Sequence, residues 1–419
     1  MRISKRAIKR VLRSRKHLND LLKFVQKWHR RVYYRRMYKK VPTQENLVLF
    51  EAFLGKQYAC SPRAIYEAMR ASHEFDGYQF VWVFRRADPM RKRLGDGRTT
   101  VVKYNTRRYY RAYARAKYWV TNWRLPDCLI KKDDQICIQT WHGTPFKKIG
   151  RDLTIEGNAT TSQRKGHRLY LNDAKRYDYF VSPSKFCTNV FASAFGLDVL
   201  NKKDILIETG YPRNDRLRTF TQEERCELRE QLHIPSGKKV ILYAPTWRDN
   251  QYTQGVGYSF ALDREVAYFL RHVPEDWVVL LRMHYLVASS LDLSEFGSRV
   301  INVSSYEDIN DLYIVSDTLV TDYSSVFFDY ANLSRPILFF MYDLDEYEKD
   351  VRDFYFGLDR LPGPVLRTGV ELEEAIAGLD SVVEKYRQKY EQFTSDFCYL
   401  DDGAAGYRVA TRCILDQRN

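Results

Sequence analysis

Residues 319–341 have the sequence LVTDYSSVFFDYANLSRPILFFM, and this stretch is decisive for the fold. Its pattern predicts a strand that ends at Thr321, a sharp turn, a short helix that begins at Val326, and a second strand over Pro336–Met341. A strand, a helix and a strand in close succession form a βαβ unit, and such units build parallel sheets. The stretch therefore predicts an α/β protein.

Small polar residues fill the turn between the first strand and the helix. Ser324 and Ser325 precede the helix, whose first N–H groups are free and partly positive, which suits a phosphate or pyrophosphate. Asp329 follows Ser325 by four residues, so the two share a helix face, and its carboxylate could bind the hydroxyls of a ribose. The same residue types also cap helices without binding a ligand, so capping is the alternative interpretation.

The positive charge of the chain is concentrated at its N-terminus. The 419 residues carry a net charge of +15. Residues 1–40 contain 16 Lys and Arg and one acid, Asp20, whereas the remaining 379 residues contain 52 charges of each sign. The sequence therefore indicates a neutral globular part with a cationic N-terminal arm, rather than a uniformly basic protein.

Residues 1–40 have the periodicity of an amphipathic helix. The apolar positions recur mostly at steps of three or four, with Lys and Arg on the other faces; they are Ile8, Val11, Leu18, Leu22, Val25 and Trp28. Such a helix is typical of proteins that bind an anionic membrane surface. A helix packed on the globule and a nucleic-acid contact are the alternatives, and the neutral remainder of the chain counts against nucleic acid.

Several classes of protein are excluded by missing patterns. The seven cysteines form no CxxC pair and no Cys/His cluster with zinc spacing, which predicts reduced thiols and no metal site. GxGxxG, GxxxxGK[ST] and GxSxG do not occur, which counts against classical NAD, P-loop and α/β-hydrolase chemistry. No run of 18 apolar residues and no signal peptide is present, so we expect a cytoplasmic protein.

From Glu45 onward, strand patterns alternate with helix patterns. The alternation is interrupted at residues 208–215 and then continues. This predicts two Rossmann-like, doubly wound lobes with C-terminal helices. The predicted segments are the arm at 1–40, a first lobe at 41–210, a second lobe at 211–375, and helices at 376–419. Because ligands bind at the carboxyl ends of parallel strands, we expect the ligand cleft between the lobes.

Polar clusters follow six of the predicted strands directly. They lie at residues 141–145, 210–215, 244–248, 282–284, 304–307 and 322–325. Since the carboxyl ends of parallel strands meet at one edge of a sheet, these clusters predict an anion-binding cleft that contains acid–base groups.

His142 and His284 are the catalytic candidates, one in each predicted lobe. A histidine can exchange a proton at neutral pH, although a single one is more often structural. Arg282 precedes His284 by two residues on the same strand face, so it could hold phosphate oxygens beside the imidazole. Arg213 and Arg248 are weaker phosphate candidates, because an arginine in a loop usually serves solvation.

A second basic segment is the predicted helix Thr106–Lys117. It carries five cations and three tyrosines and no acid. Either this face is simply solvated, or it makes a second contact with phosphates or a membrane.

Five motifs occur in an order that resembles the CDP-glycerol glycerophosphotransferase family. They are WHGTPFKKIGRD, GYPRND, YAPTWRD, LLRMH and VTDYSSVFFDY with the following RPILFF, within a similarity over about Glu45–Arg412. The resemblance implies a GT-B-type fold and metal-independent transfer of glycerol phosphate, or a related polyol phosphate, from a CDP-activated donor, with release of CMP. The implied acceptor is a lipid-linked teichoic-acid or capsule polymer at the inner face of the membrane.

The resemblance also implies roles for single residues. His142 would be the general base toward the acceptor hydroxyl, and His284 would support the donor pyrophosphate or protonate the leaving group. Phosphate would bind at Ser324 and Ser325, and the donor ribose at Asp329. The other residues implied at the donor site are Gly143, Thr144, Pro145, Arg213, Pro245, Thr246, Arg282 and Met283.

The implied lobes are an acceptor lobe at 41–210 and a nucleotide-donor lobe at 211–375. No cofactor is expected besides the CDP-linked donor itself. The motifs leave open whether the polyol is glycerol or ribitol or a sugar replaces it, and whether the enzyme is a primase or a polymerase. A non-catalytic scaffold that binds membranes or nucleic acid through the arm is the alternative from another class.

Overall fold

The computed structural model describes residues 24–153, 163–246, 252–253, 257–258, 264–283, 293–350 and 353–416. The chain divides into two compact units. Unit 1 comprises residues 1–56 and 76–137, and unit 2 comprises 57–75 and 138–419. The lobe boundaries that the sequence predicts stay predictions.

The strands and helices follow the predicted alternation. The strands are β1 Gln44–Glu51, β2 Gln79–Phe84, β3 Thr99–Lys103, β4 Ala116–Thr121, β5 Ile136–Gln139, β6 Tyr179–Ser182, β7 Leu206–Glu208, β8 Lys239–Tyr243, β9 Tyr252–Thr253, β10 Gly257–Tyr258, β11 Trp277–Leu281, β12 Val300–Asn302, β13 Thr318–Thr321, β14 Ile337–Phe340 and β15 Val365–Leu366. The helices are α1 at 24–40, α2 Cys60–Ala71, α3 Ala87–Leu94, α4 Arg107–Arg115, α5 Gln163–Ala174, α6 Lys185–Ala194, α7 Asp215–Thr219, α8 Gln222–Gln231, α9 Arg264–Arg271, α10 Ile309–Val315, α11 Val326–Tyr330, α12 Leu344–Asp350, α13 Gly369–Ala377, α14 Leu379–Phe397 and α15 Ala405–Ala410.

The strands of unit 1 pair in the order β3-β2-β1-β4, and all these pairs are parallel. Their apolar residues do not alternate with polar ones. Val48, Leu49 and Phe50 of β1 are successive and fully buried, because helices cover both faces of a parallel sheet.

Unit 2 contains two sets of parallel strands. The first has the order β5-β6-β7, where β5 begins with the last two residues of unit 1, and the second has the order β12-β11-β8-β13-β14-β15. A two-stranded antiparallel hairpin, β9 with β10, is separate from both. The parallel strands confirm the prediction of an α/β fold.

The decisive stretch has the predicted form: β13, a turn, α11, and then β14. Phe327 and Phe328 of α11 are buried and contact Phe393 of α14, with ring centroids 5.7 and 5.3 Å away. Burying a phenylalanine side chain contributes about 1.5–3 kcal/mol. The C-terminal helix α14 therefore holds α11, and with it the polar turn, against the sheet.

The described part of the predicted arm, 24–40, is helical as expected, and residues 1–23 lie outside the described residues. Tyr34 is fully buried, and its hydroxyl donates to the Ile130 carbonyl at 2.9 Å. Phe24, Val25 and Trp28 are 67%, 49% and 58% exposed. One end of α1 is thus anchored to unit 1 while the other presents apolar side chains. Among the described residues, no helix has the length and apolar character to cross a membrane.

Glu51, at the end of β1, is a carboxyl group buried inside unit 1. Its Oε2 accepts a hydrogen bond of 2.8 Å from the Tyr113 hydroxyl. Burial raises the pKa of Glu51 to about 7, although the Tyr113 hydrogen bond and the Arg85 charge act in the opposite direction. Glu51 therefore takes up a proton in the folded state at a pH where the unfolded chain has lost it.

Replacing Glu51 with glutamine should reduce the pH dependence of stability. Because the folded pKa is raised from 4.5 to about 7, the native protein loses stability as the pH rises through this interval. At about 1.4 kcal/mol per pKa unit, the loss reaches up to about 3 kcal/mol. The Glu51→Gln variant should match the native protein near pH 5 and exceed its stability near pH 8 in urea unfolding. An unchanged pH dependence would show that Glu51 is not the titrating group.

Candidate functional site

Asp322 joins the ends of two neighbouring strands. Its Oδ1 accepts hydrogen bonds from the backbone N–H groups of Thr246, at 2.7 Å, and Ser324, at 3.2 Å. The Thr321 hydroxyl, at the end of β13, donates to the Ala244 carbonyl beyond β8 at 2.8 Å. The structure thus brings together two of the predicted polar clusters, those that follow β8 and β13.

Ser325 lies directly before α11 but does not cap it, because its side chain makes no capping hydrogen bond. Instead it faces Gly143, where an added Cβ would lie 3.2 Å from the Ser325 Oγ. Gly143 has a φ of +152°, which L-residues rarely adopt, so both its backbone angle and its lack of a side chain suit this close approach. The capping interpretation of Ser325 therefore does not hold in the structure.

The turn that carries His142 is held by its neighbours. Trp141 is buried with a left-handed φ of +51°, and its N–H donates to Gln139 Oε1 at 2.9 Å. The Trp141 ring packs on the half-buried His142 imidazole, with centroids 4.1 Å apart, and on Phe195 at 4.8 Å. On the other side of His142, the Gly143 N–H donates to the Tyr211 hydroxyl at 3.1 Å. These contacts limit where the imidazole can lie.

Arg213 is the cation at the centre of the site. It is 9% exposed, and its Nη2 lies 2.8 Å from Asp329 Oδ2 in α11. Its Nη1 donates to the His142 carbonyl, and its own carbonyl accepts from the Asn310 side chain. Arg213 therefore connects the histidine turn with the helix that follows Ser325.

Asp329 is buried, whereas a carboxylate that binds a ribose would be expected to be accessible from the cleft. Burial raises the pKa of the Asp329 carboxyl, and the Arg213 charge and an Asn214 hydrogen bond oppose that change. Its second oxygen, Oδ1, has no hydrogen-bond partner among the described residues. The ribose role of Asp329 stays a prediction, while its pairing with Arg213 is what the structure provides.

Asp401 is a site-supporting residue that the sequence reasoning missed. Its Oδ1 accepts from the Tyr211 N–H at 2.7 Å, and its Oδ2 accepts from the side chains of Asn214, at 2.7 Å, and Asn332, at 3.1 Å. Burial raises the pKa of Asp401 to about 6. Asp401 thus fixes the segment on both sides of Arg213. The sequence around it, DDGAAGYR, contains no pattern that indicates this role.

Arg282 uses its guanidinium within the protein. Its Nη1 donates to the carbonyls of Val303, at 3.3 Å, and Tyr306, at 3.1 Å, and burial lowers its pKa. The Met283 N–H donates to the Ser304 hydroxyl at 2.9 Å. These contacts join the ends of β11 and β12. The adjacent His284, and also Arg248, lie outside the described residues.

The remaining predicted positions are near the same strand ends. Thr144 and Pro145 are buried, and the Cys187 thiol donates to the Thr144 hydroxyl at 3.6 Å. Pro245 and Thr246 are half-buried. Contacts in the structure therefore join His142, Arg213 and Asp329 directly, and Ser325 lies close to Gly143. Thr246 is joined to Ser324 through Asp322.

The chemistry of these groups suits a phosphate ester. The turn before α11 offers the Ser325 hydroxyl, and the Arg213 guanidinium lies nearby; both kinds of group bind anionic oxygens. The His142 imidazole, from a second turn, can accept a proton. Within the described residues, no three His, Cys, Asp or Glu side chains cluster as metal ligands. Metal independence stays a prediction.

Comparison with known proteins points in the same direction. The family profile described as CDP-Glycerol:Poly(glycerophosphate) glycerophosphotransferase matches residues 32–415. The teichoic acid poly(glycerol phosphate) polymerase of Staphylococcus epidermidis is 40% identical over 382 residues, which cover 90% of this chain and 52% of that protein. The teichoic acid glycerol-phosphate transferase of Staphylococcus aureus is 38% identical over 377 residues, which cover 89% of this chain and 94% of that protein.

A solved structure of the wall teichoic acid polymerase TagF, a histidine-to-asparagine variant soaked with CDPG, has a TM-score of 0.85 and 37% identity. The match covers 98% of this chain and 99% of that chain. The likeness confirms the predicted GT-B-like fold class. The chain spans about half the length of the polymerase from S. epidermidis.

Proposed function

The chain belongs to the CDP-glycerol:poly(glycerophosphate) glycerophosphotransferase family, and we propose that it transfers glycerol phosphate from CDP-glycerol to a teichoic-acid polymer and releases CMP. The observation that carries the proposal is the close approach of the His142–Gly143 turn to Ser325 and Arg213. An imidazole, a hydroxyl and a buried cation, brought together from three segments of the chain, are groups that promote phosphoryl transfer to an alcohol.

His142 acts as the general base on the terminal hydroxyl of the acceptor. As the imidazole takes the hydroxyl proton, the acceptor oxygen bonds to the β-phosphorus of CDP-glycerol, and the bond from that phosphorus to the bridging oxygen breaks. CMP leaves with the electron pair of this bond. The packing of Trp141 on the imidazole keeps the ring in one place, which reduces the entropy lost on reaching the reactive geometry.

The donor phosphates bind beside α11. Ser325 offers its hydroxyl, because it makes no cap, and Ser324 offers a second hydroxyl in the same turn. Arg213 is positioned by Asp329 and contributes positive charge near the transferred group. In this proposal His284 supports the pyrophosphate or protonates the leaving group. Asp329 accepts a hydrogen bond from the ribose through Oδ1, the oxygen that has no partner among the described residues. Pro245, Thr246, Arg282 and Met283 line the donor site from the ends of β8 and β11.

The proposed reaction is tested by measuring CMP release. The full chain is mixed with CDP-glycerol, and separately with CDP-ribitol, together with a short lipid-linked glycerol phosphate acceptor on anionic vesicles. We expect CMP release from CDP-glycerol that depends on the acceptor. Release from CDP-ribitol alone would overturn the choice of polyol. If neither donor releases CMP and neither binds, the proposed activity is wrong.

We also propose that α1 holds the protein on the inner face of the membrane. Its exposed Phe24, Val25 and Trp28 lie among cations, as in helices that rest in the interfacial region of a bilayer. The apolar side chains insert into the bilayer interface, and each cation attracts anionic headgroups with about 1 kcal/mol.

Replacing Phe24 and Trp28 with serine should weaken vesicle binding by at least about tenfold, because the two side chains lose most of their apolar contact with lipid. Sedimentation with anionic vesicles measures the change, and CMP release on a lipid-free acceptor should persist. The matched control replaces Val199 and Val383, which are 60% and 42% exposed in unit 2. Equal loss in both variants would contradict a specific role for α1.

A further inference from the structure

Unit 1 has an excess of positive charge beyond α1. Residues 76–137 contain 15 Lys and Arg and six Asp and Glu, an excess of nine. The net charge of residues 41–419 is zero, but the excess of positive charge among them is concentrated in unit 1. Much of this charge lies on or next to one helix, α4.

The exposed face of α4 consists of arginines. Arg107, Arg108, Arg111 and Arg115 are all exposed, and none has an ion-pair or hydrogen-bond partner in the part of the chain that the structure describes. Other exposed cations in the same unit do have partners; Arg91, for example, pairs with Asp88. A row of guanidinium groups without counter-charges repels itself, so its persistence on a rigid helix indicates an anionic partner.

The opposite face of α4 fixes the helix in place. Tyr109, Tyr110 and Tyr113 are buried, and the Tyr113 hydroxyl is bound to the buried Glu51. The helix begins with a capping bond from the Tyr109 N–H to Thr106 Oγ1. The arginines are therefore presented from a rigid support, which lowers the entropy lost when they bind a partner.

The spacing of the row suits a repeating phosphodiester. Arg107, Arg111 and Arg115 are four residues apart, and four residues advance an α-helix by about 6 Å. A glycerol phosphate repeat contributes five or six chain bonds, and since three bonds of an extended chain span about 3.3–3.6 Å, successive phosphates lie roughly 6–7 Å apart. Arg forks bind phosphate oxygens in a bidentate manner.

We propose that the exposed face of α4 binds the phosphodiester backbone of a linear polyol-phosphate polymer through Arg107, Arg111 and Arg115, an inference that rests on the proposed function for the identity of the polymer. The face bears no exposed apolar side chain, unlike α1, so it lacks the groups that insert into a bilayer. The two helices adjoin, since Tyr33 and Tyr34 of α1 contact Tyr110 of α4 with ring centroids 6.0 and 6.2 Å apart.

This surface gives the acceptor a second attachment besides its reacting end. A polymer held along α4 dissociates less often between additions, because one attached segment raises the effective concentration of the rest. The face therefore favours acceptors that already contain several phosphates over a single primed unit.

The test measures binding of a labelled, lipid-free glycerol phosphate oligomer to the full chain without any nucleotide donor. The variant Arg107→Gln/Arg111→Gln/Arg115→Gln should fold normally, because exposed substitutions usually change stability by less than about 0.5 kcal/mol. We expect its affinity at low salt to be about ten- to a hundredfold weaker. The slope of log affinity against log salt should fall by about two.

The matched control removes three cations from α14 in unit 2, as Lys385→Gln/Arg387→Gln/Lys389→Gln. Its affinity for the oligomer should change by less than about twofold, the size of a non-specific charge effect. Equal losses in both triple variants, or no loss in the α4 variant, would overturn the proposal.

Two further ligands distinguish binding of a phosphodiester from binding of any polyanion and from binding of a membrane surface. Polyglutamate of equal charge should bind the native chain more weakly and respond little to the α4 substitutions, so an equal response would show that the face has no preference for phosphodiesters. If the α4 variant instead loses anionic vesicles and keeps the oligomer, a membrane surface is the partner and the proposal is wrong. Failure of CMP release counts against the proposed function alone, because the binding mixture contains no donor.

Discussion

Replacing His142 with alanine should lower the rate of CMP release by about 10²–10⁴-fold, the usual contribution of a positioned general base. The loss should appear in kcat rather than in donor affinity, because the imidazole meets the acceptor hydroxyl and not the nucleotide. The variant should fold, since His142 is only half-buried and its neighbours Trp141 and Gly143 keep their backbone hydrogen bonds.

The control for this substitution is His233→Ala, which removes an exposed histidine from unit 2. Its turnover should equal that of the native protein. Initial-rate measurements of CMP release at saturating CDP-glycerol compare the three proteins, and circular dichroism verifies their folding. If His142→Ala retains native turnover while folded, His142 has no part in proton transfer.

Replacing Asp329 with alanine should destabilise the protein by about 3–5 kcal/mol, because it leaves the Arg213 guanidinium buried without its partner. The two charged atoms lie 2.8 Å apart, and the side chains are 9% and 3% exposed. Arg213 also holds the His142 carbonyl, so turnover should fall together with stability. Urea unfolding measures the change in the free energy of unfolding.

A surface ion pair provides the matched comparison. Arg367 and Asp345 are 2.9 Å apart but 49% and 77% exposed, so Asp345→Ala should cost less than about 1 kcal/mol. A double variant, Arg213→Met/Asp329→Leu, should recover much of the stability lost by Asp329→Ala, because it removes both buried charges at once. Turnover should not recover with it. A cost for Asp329→Ala no larger than that for Asp345→Ala would contradict the role of the buried pair.

The support around Arg213 depends on residues that are distant in the chain. Arg213 and Asp329 belong to different motifs, and Asp401 lies beyond both of them. No periodicity or spacing relates such positions, since ion pairs form wherever folding brings charges together. The position of Asp329 on the helix face predicts a carboxylate near a ribose, and folding buries this carboxylate beside Arg213.

The environment of Ser325 likewise depends on a residue that is distant in the chain. A serine before a helix is usually a cap, and this preference is local. Here Asp322 organises the turn, and Ser325 is directed toward Gly143 from another polypeptide segment. The absence of a cap at Ser325 is evident only from the tertiary structure, because it depends on which group lies opposite the hydroxyl.

The amino-acid sequence alone predicts the α/β class, the order of the strands and helices, and the positions of the polar turns, because hydrophobic periodicity and turn residues act over a few neighbouring residues. It also placed His142 and Ser325 at strand ends. The pairing of Arg213 with Asp329, the support from Asp401 and the burial of Glu51 emerge only on folding, because these contacts join distant parts of the chain and their energies depend on exclusion of water.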